Sequence, residues 1–315
     1  MTKHLIIGFA TNQTPQSLAV FLRSARLIYP TEQCDIALIT NSVSGIEDIL
    51  LETGAIVINT PSTYSTSVSK LTKTYNRIFL HILRGMSRSG VLFRSPEIAA
   101  GYDQLIESWH HPHFARWFAY MRVMRTFYAY DKILLADTKD VVFQQPFFDQ
   151  IQEDAVSLFE DGESFAPEGW NGRWYIQAYG RKGYDKIAHR QPICIGVVAG
   201  GAKTILSFVT DLCAAIARHP FGRIEQAIFN KMYLNNEILV PLRIFENGQG
   251  AVLNMCGDGI EQRVECVDGL IQAKSDGRLF PIVHMYDRIL TSREAVEGKY
   301  VGAAVERPVV IRADK

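Results

Sequence analysis

The sequence predicts an α/β fold with a mostly parallel, doubly wound central sheet and helices on both faces. Apolar runs alternate with amphipathic stretches of helical spacing in the N-terminal part, as in strand–helix–strand units. Residues 133–136 form a short apolar run between polar ends, which is typical of a strand buried on both faces. A third apolar run, at 192–201, closes on glycines and precedes a long amphipathic helix.

The N-terminal part is predicted to contain strands at 5–9, 36–40 and 55–58, with helices at 18–28 and 46–51 between them. No G-x-G-x-x-G motif follows the first strand, so the sequence lacks the turn that brings a Rossmann backbone close to a pyrophosphate. This argues against a dinucleotide-dependent oxidoreductase. Residues 60–112 are predicted to form an insertion or a lid, with a helix at 71–83.

The remaining elements are predicted from the same signals. A helix over 114–130 leads into the strand at 133–136. A strand follows at 155–159, and the glycine-closed strand at 192–201 is followed by a helix over 202–218. Another helix starts at Glu225, and three more strands are predicted at 251–256, 264–267 and 280–285.

Composition excludes several classes of protein. Lys and Arg number 33 and so do Asp and Glu, so no net charge draws the chain to nucleic acid. The five cysteines are scattered without a C-x-x-C pair, which predicts reduced thiols and a cytoplasmic location. No apolar stretch is long enough to cross a bilayer, so membrane contact is expected to be peripheral.

Two carboxylates follow the strand at 133–136. Asp137 and Asp140 are spaced so that one tight turn can aim both beyond the carboxyl end of the strand, where open α/β sheets bind ligands. Two carboxylates that point at the same place repel each other unless a cation or a shared proton reduces the repulsion. Mg²⁺ and Mn²⁺ are cations that bind oxygen ligands of this kind. The alternative is that Asp137 caps the turn and Asp140 is a solvated charge.

Three stretches carry a resemblance to a known family. Residues 132–147, KILLADTKDVVFQQPF, resemble the acidic metal-binding motif of nucleotide-sugar glycosyltransferases with the GT-A fold. The run from Glu225 and Gln226 to Asn230 is similar to the Asp-Gln-x-x-x-Asn block of that family, with Glu in place of Asp. His284 ends the last predicted strand, where the family has a metal-binding histidine.

The resemblance implies one GT-A-like domain over 1–290, with a nucleotide-binding half at 1–147 and an acceptor half at 148–290. Residues 291–315 are expected to be a loosely ordered tail. The implied activity is metal-assisted transfer of a hexose from a nucleoside diphosphate sugar, most commonly a UDP-sugar, to a hydroxyl of a glycan or glycolipid, as in polysaccharide biosynthesis. The alternatives are a nucleotidyltransferase of similar fold and a sugar-binding protein with weak turnover.

The resemblance also implies where the donor and metal bind. Asp137, Asp140 and His284 would hold the metal, with Mn²⁺ favoured over Mg²⁺ because imidazole is the softer ligand. Asp137 would also contact the nucleotide. The other implied donor residues are Phe9, Ala10, Thr11 and Asn12 for the base and ribose, Arg116 and then Arg122 for the phosphates, and Gly200 for close backbone approach. Surface ion pairs are the alternative for the two arginines.

The acceptor half offers catalytic and binding candidates. Glu225 and Gln226 would face the transferred sugar, and Glu225, Glu168 and Asp161 are candidates for the base that an inverting reaction requires. The cluster of Trp170, Asn171 and Trp174 has acceptor-site chemistry, because aromatic faces stack on sugar rings and amides bond their hydroxyls. Packing of these rings in the core is the competing account.

Overall fold

A computed structural model describes residues 3–11, 13–62, 78–79, 81–83, 85–87, 89–90, 95–126, 129–219 and 225–302. Within these residues the predicted α/β class is confirmed: seven strands form a mixed central sheet, and helices flank it. The predicted helix at 71–83 falls largely outside the described residues.

The first half of the chain contains β1 (Lys3–Phe9), α1 (Pro15–Ile28), β2 (Cys34–Thr40), α2 (Glu47–Thr53), β3 (Ile56–Asn59), α3 (Pro96–Trp109), α4 (Pro112–Met124), β4 (Tyr130–Asp137) and β5 (Val141–Phe143). The second half contains β6 (Val156–Glu160), α5 (Trp170–Tyr184), β7 (Ile193–Gly201), α6 (Ala202–Arg218), α7 (Glu225–Leu234), β8 (Leu242–Phe245), β9 (Val252–Asn254), α8 (Ile260–Arg263), β10 (Val264–Val267), β11 (Leu270–Ala273), β12 (Ile282–His284) and α9 (Leu290–Val301).

The central sheet has the strand order β3-β2-β1-β4-β7-β6-β8. Its strands are parallel except β7, which runs antiparallel to both β4 and β6. Because β7 is reversed, Val197 lies opposite Ala136 near the carboxyl end of β4, whereas Gly200 lies opposite Ile133 farther back. The antiparallel direction of β7 therefore determines which of its glycines lies near the carboxyl end of β4.

Helix α6 shows how the predicted spacing produces the core. Its apolar residues recur three and four positions apart, so they share one face of the helix. Burial of that face on the sheet stabilises the fold by about 1.5–3 kcal/mol for each large side chain. The buried residues are Ile205, Phe208, Val209, Leu212, Cys213, Ala215 and Ile216.

A separate three-stranded sheet, β5-β12-β9, joins the two stretches that carry the metal-ligand candidates. Strand β12 is antiparallel to β5 and parallel to β9, so His284 lies opposite both Val141 and Asn254. The backbone N–H of Met285 donates to the carbonyl of Asp140 at 2.7 Å. This pairing fixes the end of β12 against the acidic turn.

Two boundaries differ from the sequence prediction. The stretch after Thr291 is not loosely ordered as far as Val301, because α9 buries Val296 and Tyr300. The Arg23 guanidinium also donates to the carbonyls of Tyr300 and Val301 at 2.8 Å each. The helix predicted over 114–130 ends at Met124, and its first turn begins with Pro112.

Candidate functional site

A cavity of about 300 Å³ opens beyond the carboxyl ends of β1 and β4. Its volume is at the lower end of the range typical of small-molecule sites. Strand ends supply Phe9, Asp137 and His284 to its wall, and helices supply Arg116 and Glu225. The cavity therefore joins residues that are far apart in the sequence.

Asp137, Asp140 and His284 converge on one point of this wall. One ligand atom from each lies within 4.8 Å of the other two. His284 Nε2 is 3.6 Å from Asp137 Oδ2 and 3.6 Å from Asp140 Oδ1. Neighbouring ligands of a small divalent cation in octahedral geometry stand about 3 Å apart, so these three atoms would have to move closer together to hold one cation. The donor set fits Mn²⁺ or Mg²⁺.

Asn254 orients the His284 ring. Its Oδ1 lies 2.8 Å from His284 Nδ1, and the Cys194 thiol lies 3.6 Å from the same nitrogen. An Nδ1–H donated to Asn254 leaves the Nε2 lone pair facing the two aspartates, which is the tautomer a metal ligand requires. Sequence analysis missed Asn254, although a lone amide at the end of an apolar strand was available as a signal.

Opposing effects act on His284. Burial lowers the pKa of the imidazole, but the neighbouring Cys194, Asp140 and Asp161 raise it, and the net direction is upward. These neighbours thus favour the protonated ring, and a divalent cation would compete with a proton for Nε2.

Gly196 gives the imidazole its space. A Cβ on Gly196 would lie 2.6 Å from His284 Nε2 and 3.0 Å from Asp137 Oδ2. Gly200, predicted for close backbone approach to the donor, instead lies against Ala155 and Ile205. Because β7 is antiparallel to β4, Gly200 lies away from the cavity and Gly196 lines it.

Arg116 bridges two carboxylates of the wall. One Nη donates to Asp137 Oδ1 and the other donates to Glu225 Oε1. Arg116 therefore lies on the cavity wall, and its contact with donor phosphates stays a prediction. Arg122 is not on the cavity wall: its guanidinium pairs with Glu107 at 2.6 Å and also donates to the Asn59 carbonyl.

Glu225 is buried, with only 1% of its surface exposed. Burial alone raises its pKa, but Arg116 and His113 outweigh burial and lower the pKa to about 2. His113 Nδ1 lies 3.5 Å from Glu225 Oε2. A carboxylate with this pKa is a weak base at neutral pH, so the position favours a role in holding Arg116 over general-base catalysis.

Gln226 lies in a buried amide and carboxylate network. Its Nε2 donates to Asp161 Oδ2 at 2.9 Å and to Asn171 Oδ1 at 2.7 Å. Asp161 and Gln226 line the cavity, whereas Asn171 is buried behind them and is not on the wall. Asn230 holds the backbone of Ile193 through two hydrogen bonds of 2.9 Å. Helix α7 thus places Glu225 and Gln226 on the cavity wall, whereas its Asn230 has a structural role in holding β7.

Only one residue of the predicted acceptor cluster lines the cavity. Trp174 lines the cavity. Trp170 is 50% exposed and lies outside it, with its ring 5.9 Å from that of Trp174 and the Arg173 guanidinium 4.5 Å above it. Neither ring is buried in the core. Glu168 is exposed and is not on the cavity wall.

The loop after β1 is only partly at the cavity. Phe9 and Thr11 line it, and among the described residues the buried Thr11 hydroxyl has no hydrogen-bond partner. Ala10 is not on the wall, because its backbone is bonded to Ile39 and Thr40 of β2. Asn12 lies outside the described residues.

Basic side chains at the rim were not predicted. Lys139 and Arg288 line the cavity beside the acidic turn, and Lys139 Nζ is 3.0 Å from Asp287 Oδ2. Lys139 lies between the two predicted aspartates in sequence, so its proximity was a usable signal. Arg288 depends on how the chain turns after β12, which sequence spacing does not reveal.

Comparison with models of known protein families and with curated proteins finds no match for this chain. In the described ranges, no helix has both the length and the apolar character that a membrane span requires. All five cysteines are free thiols.

Proposed function

We propose that this protein is a metal-dependent glycosyltransferase with a GT-A-like domain, which transfers a sugar from a nucleoside diphosphate sugar to a hydroxyl acceptor. The observation that carries the proposal is the convergence of Asp137, Asp140 and His284 in a cavity at the carboxyl ends of parallel strands. These residues come from two sheets, and a structural role alone does not require them to meet.

The chain's own residues support donor binding in three ways. Asp137, Asp140 and His284 would hold Mn²⁺ or Mg²⁺, and the bound cation would supply Lewis-acid assistance to a leaving diphosphate. Lys139 and Arg288 would place positive charge beside the phosphates. Phe9 would offer an apolar face to the nucleoside, and Thr11 would offer a hydroxyl that has no hydrogen-bond partner within the described residues.

The geometry also ranks the candidate bases. Glu225 is ion-paired and Glu168 is not on the wall. Asp161 lies on the wall, and within the described residues it forms no ion pair. It accepts hydrogen bonds from Gln226 and from the Cys256 thiol at 3.0 Å, which hold its carboxylate in place. If the reaction inverts the anomeric centre, Asp161 is the base that this arrangement favours.

The test is incubation with a panel of sugar nucleotides and Mn²⁺, followed by assay for free nucleoside diphosphate. Release from one donor, absent when a chelator replaces Mn²⁺, supports the proposal. Pyrophosphate release from a nucleoside triphosphate and a sugar phosphate would instead identify a nucleotidyltransferase. Binding of a sugar nucleotide without any release would identify a sugar-binding protein, which the buried pairing of Glu225 would then explain.

A further inference from the structure

His113 is a residue of the cavity wall that belongs neither to the candidate metal ligands nor to the basic rim. It is the second residue of α4 and lies one helical turn before Arg116, so both side chains are on the same face of the helix. Its side chain is 44% exposed and therefore does not serve to fill the core. An imidazole in this position is accessible to a molecule that enters the cavity.

Glu225 holds one edge of the His113 ring. His113 Nδ1 lies 3.5 Å from Glu225 Oε2. Although burial raises the pKa of Glu225, Arg116 and His113 lower it to about 2, so the carboxylate is ionised at neutral pH and can only accept hydrogen bonds. The proton that faces Glu225 is therefore on Nδ1, and Nε2 of the neutral ring keeps its lone pair. The ring also stacks on that of His111, with 4.8 Å between the centroids.

The order of the strands indicates which part of a nucleoside diphosphate sugar would lie on each side of the cavity. Strand β4 stands between β1 and β7 in the sheet. Phe9, a proposed nucleoside contact, ends β1, and the acidic turn that would hold the metal and diphosphate follows β4. Cys194 and Gly196 of β7 line the next part of the wall. Since the sugar is bonded to the far end of the diphosphate, it would lie on the β7 side.

Helix α7 brings Glu225 to this β7 side of the cavity. Glu225 starts the helix. One turn later, the Asn230 amide accepts from the N–H and donates to the carbonyl of Ile193 in β7, at 2.9 Å each. These bonds hold α7 on β7. The contact between Glu225 and His113 therefore places the imidazole beside the position of the sugar.

We propose that His113 is a specificity-determining residue for the transferred sugar, with its Nδ1–H directed at Glu225 and its Nε2 accepting a hydrogen bond from a sugar hydroxyl. The inference rests on the proposed function and adds the class of donor: a hexose with a free hydroxyl opposite Nε2, in preference to the analogue that lacks this hydroxyl. A deoxy analogue would leave the imidazole without its partner.

The test uses two variants that keep different nitrogen positions of the ring. His113→Asn places its amide near the position of Nδ1 and can still donate to Glu225, whereas the longer side chain of His113→Gln can reach the position of Nε2. His189→Asn is the control, because His189 is exposed. Binding of sugar nucleotides and of the corresponding nucleoside diphosphates is measured by calorimetry with Mn²⁺ and without acceptor. The first pair of probes is UDP and UDP-glucose, followed by the other donors of the panel assay.

We expect His113→Asn to bind the nucleoside diphosphate as wild type does but to bind the sugar nucleotide about tenfold more weakly. His113→Gln should keep most of the affinity, and the control should keep all of it. Monodeoxy analogues of the sugar give a second measurement. One of them should bind wild type about tenfold more weakly than the parent donor does, with no such difference in His113→Asn. Melting curves of all proteins check folding.

Three results would overturn the inference. Wild-type affinity of His113→Asn for the sugar nucleotide would mean that His113 serves only to pair with Glu225. Equal losses for the sugar nucleotide and the nucleoside diphosphate would place the contact on the nucleotide, and a change confined to the acceptor KM would place it on the acceptor. In each case wild type still releases nucleoside diphosphate in the panel assay. If wild type neither binds nor cleaves any sugar nucleotide, the proposed function fails and this inference fails with it.

Discussion

The two sides of the cavity are built by different means. The acidic wall, Asp137, Asp140 and His284, projects from strand ends and the turn after β4, and backbone pairing between β5 and β12 holds it together. The helical wall comprises Arg116, Trp174, Glu225 and Gln226 from α4, α5 and α7, whose helices present side chains held by other side chains. Backbone pairing therefore fixes the acidic wall, whereas contacts between side chains fix the helical wall.

Arg116 connects the two walls. Arg116 pairs with Asp137 of the acidic wall and with Glu225 of the helical wall. It leaves Asp137 Oδ2 facing His284 and gives a buried positive partner to Glu225. Substitutions on the acidic wall should therefore act on metal binding, whereas substitutions on the helical wall should act on stability or on the acceptor.

Asp140→Asn should have the largest effect. The amide keeps the shape of the side chain but removes the charge that holds a cation, so kcat in Mn²⁺ should fall by about 100-fold or more. Steady-state kinetics with the donor found in the panel assay provide the measurement. Asp154→Asn, in an exposed position, is the control and should keep full activity. Turnover by Asp140→Asn at the wild-type rate would contradict a role for the acidic wall in the reaction.

Glu225→Gln should act on stability. Its folded pKa is about 2 and its ordinary value is 4.5, so the ionised form stabilises the fold by about 3 kcal/mol above pH 4.5. That contribution is lost as pH falls from about 4.5 to about 2, where the folded carboxylate also takes up a proton.

The measurement is denaturant unfolding of wild type and Glu225→Gln between about pH 7 and about pH 2. The difference in the free energy of unfolding should be large at neutral pH and should shrink below about pH 4.5. Glu294→Gln is the control, because Glu294 is exposed. A difference that stays constant with pH would mean that the Arg116 pair does not determine the ionisation of Glu225.

Gly196→Ala and Gly200→Ala form a matched pair within β7. The methyl group added at position 196 would meet the His284 imidazole, so Mn²⁺ affinity should drop by about tenfold or more. The methyl group added at position 200 would lie 2.8 Å from the Ala155 carbonyl, which should destabilise the fold and leave Mn²⁺ affinity unchanged. Calorimetric titration with Mn²⁺ distinguishes them. Equal losses of affinity would contradict the placement of Gly196 beside the imidazole.

Trp174→Ala and Trp170→Ala should have the smallest effects. Trp174 lines the cavity, so its loss should raise the acceptor KM by several fold with little change in the donor KM. Trp170 lies outside the cavity and should matter less. Kinetics with each substrate varied in turn provide the comparison. A larger acceptor effect at Trp170 would shift the acceptor position out of the cavity and onto the exposed start of α5.

Local patterns predicted most of the strands and the acidic wall. The uninterrupted apolar run before Asp137 required a buried strand, and the tight spacing of Asp137 and Asp140 required that both lie near its end. His284 was placed by its position after an apolar strand and by the family resemblance. Its meeting with Asp140 depends on the pairing of β12 with β5, which sequence alone does not specify.

Long-range geometry explains why several predicted site residues lie outside the cavity. Gly200 and Gly196 differ only in position along β7, so strand direction decided between them. Glu168 and Trp170 stand near cavity residues in sequence but outside the cavity, because the start of α5 turns them towards solvent. The end of α9 is held by hydrogen bonds from Arg23, a residue from the opposite end of the chain.

The most direct test of the account is electron spin-echo spectroscopy of Mn²⁺ bound to the wild-type protein and to His284→Ala, with His189→Ala as the exposed control. The wild type and the control should bind one Mn²⁺ per chain and show modulation from a directly coordinated imidazole nitrogen. His284→Ala should lose that modulation and bind Mn²⁺ more weakly. Nitrogen modulation that persists in His284→Ala, or its absence from Mn²⁺-loaded wild type, would contradict the claim that Asp137, Asp140 and His284 hold one cation.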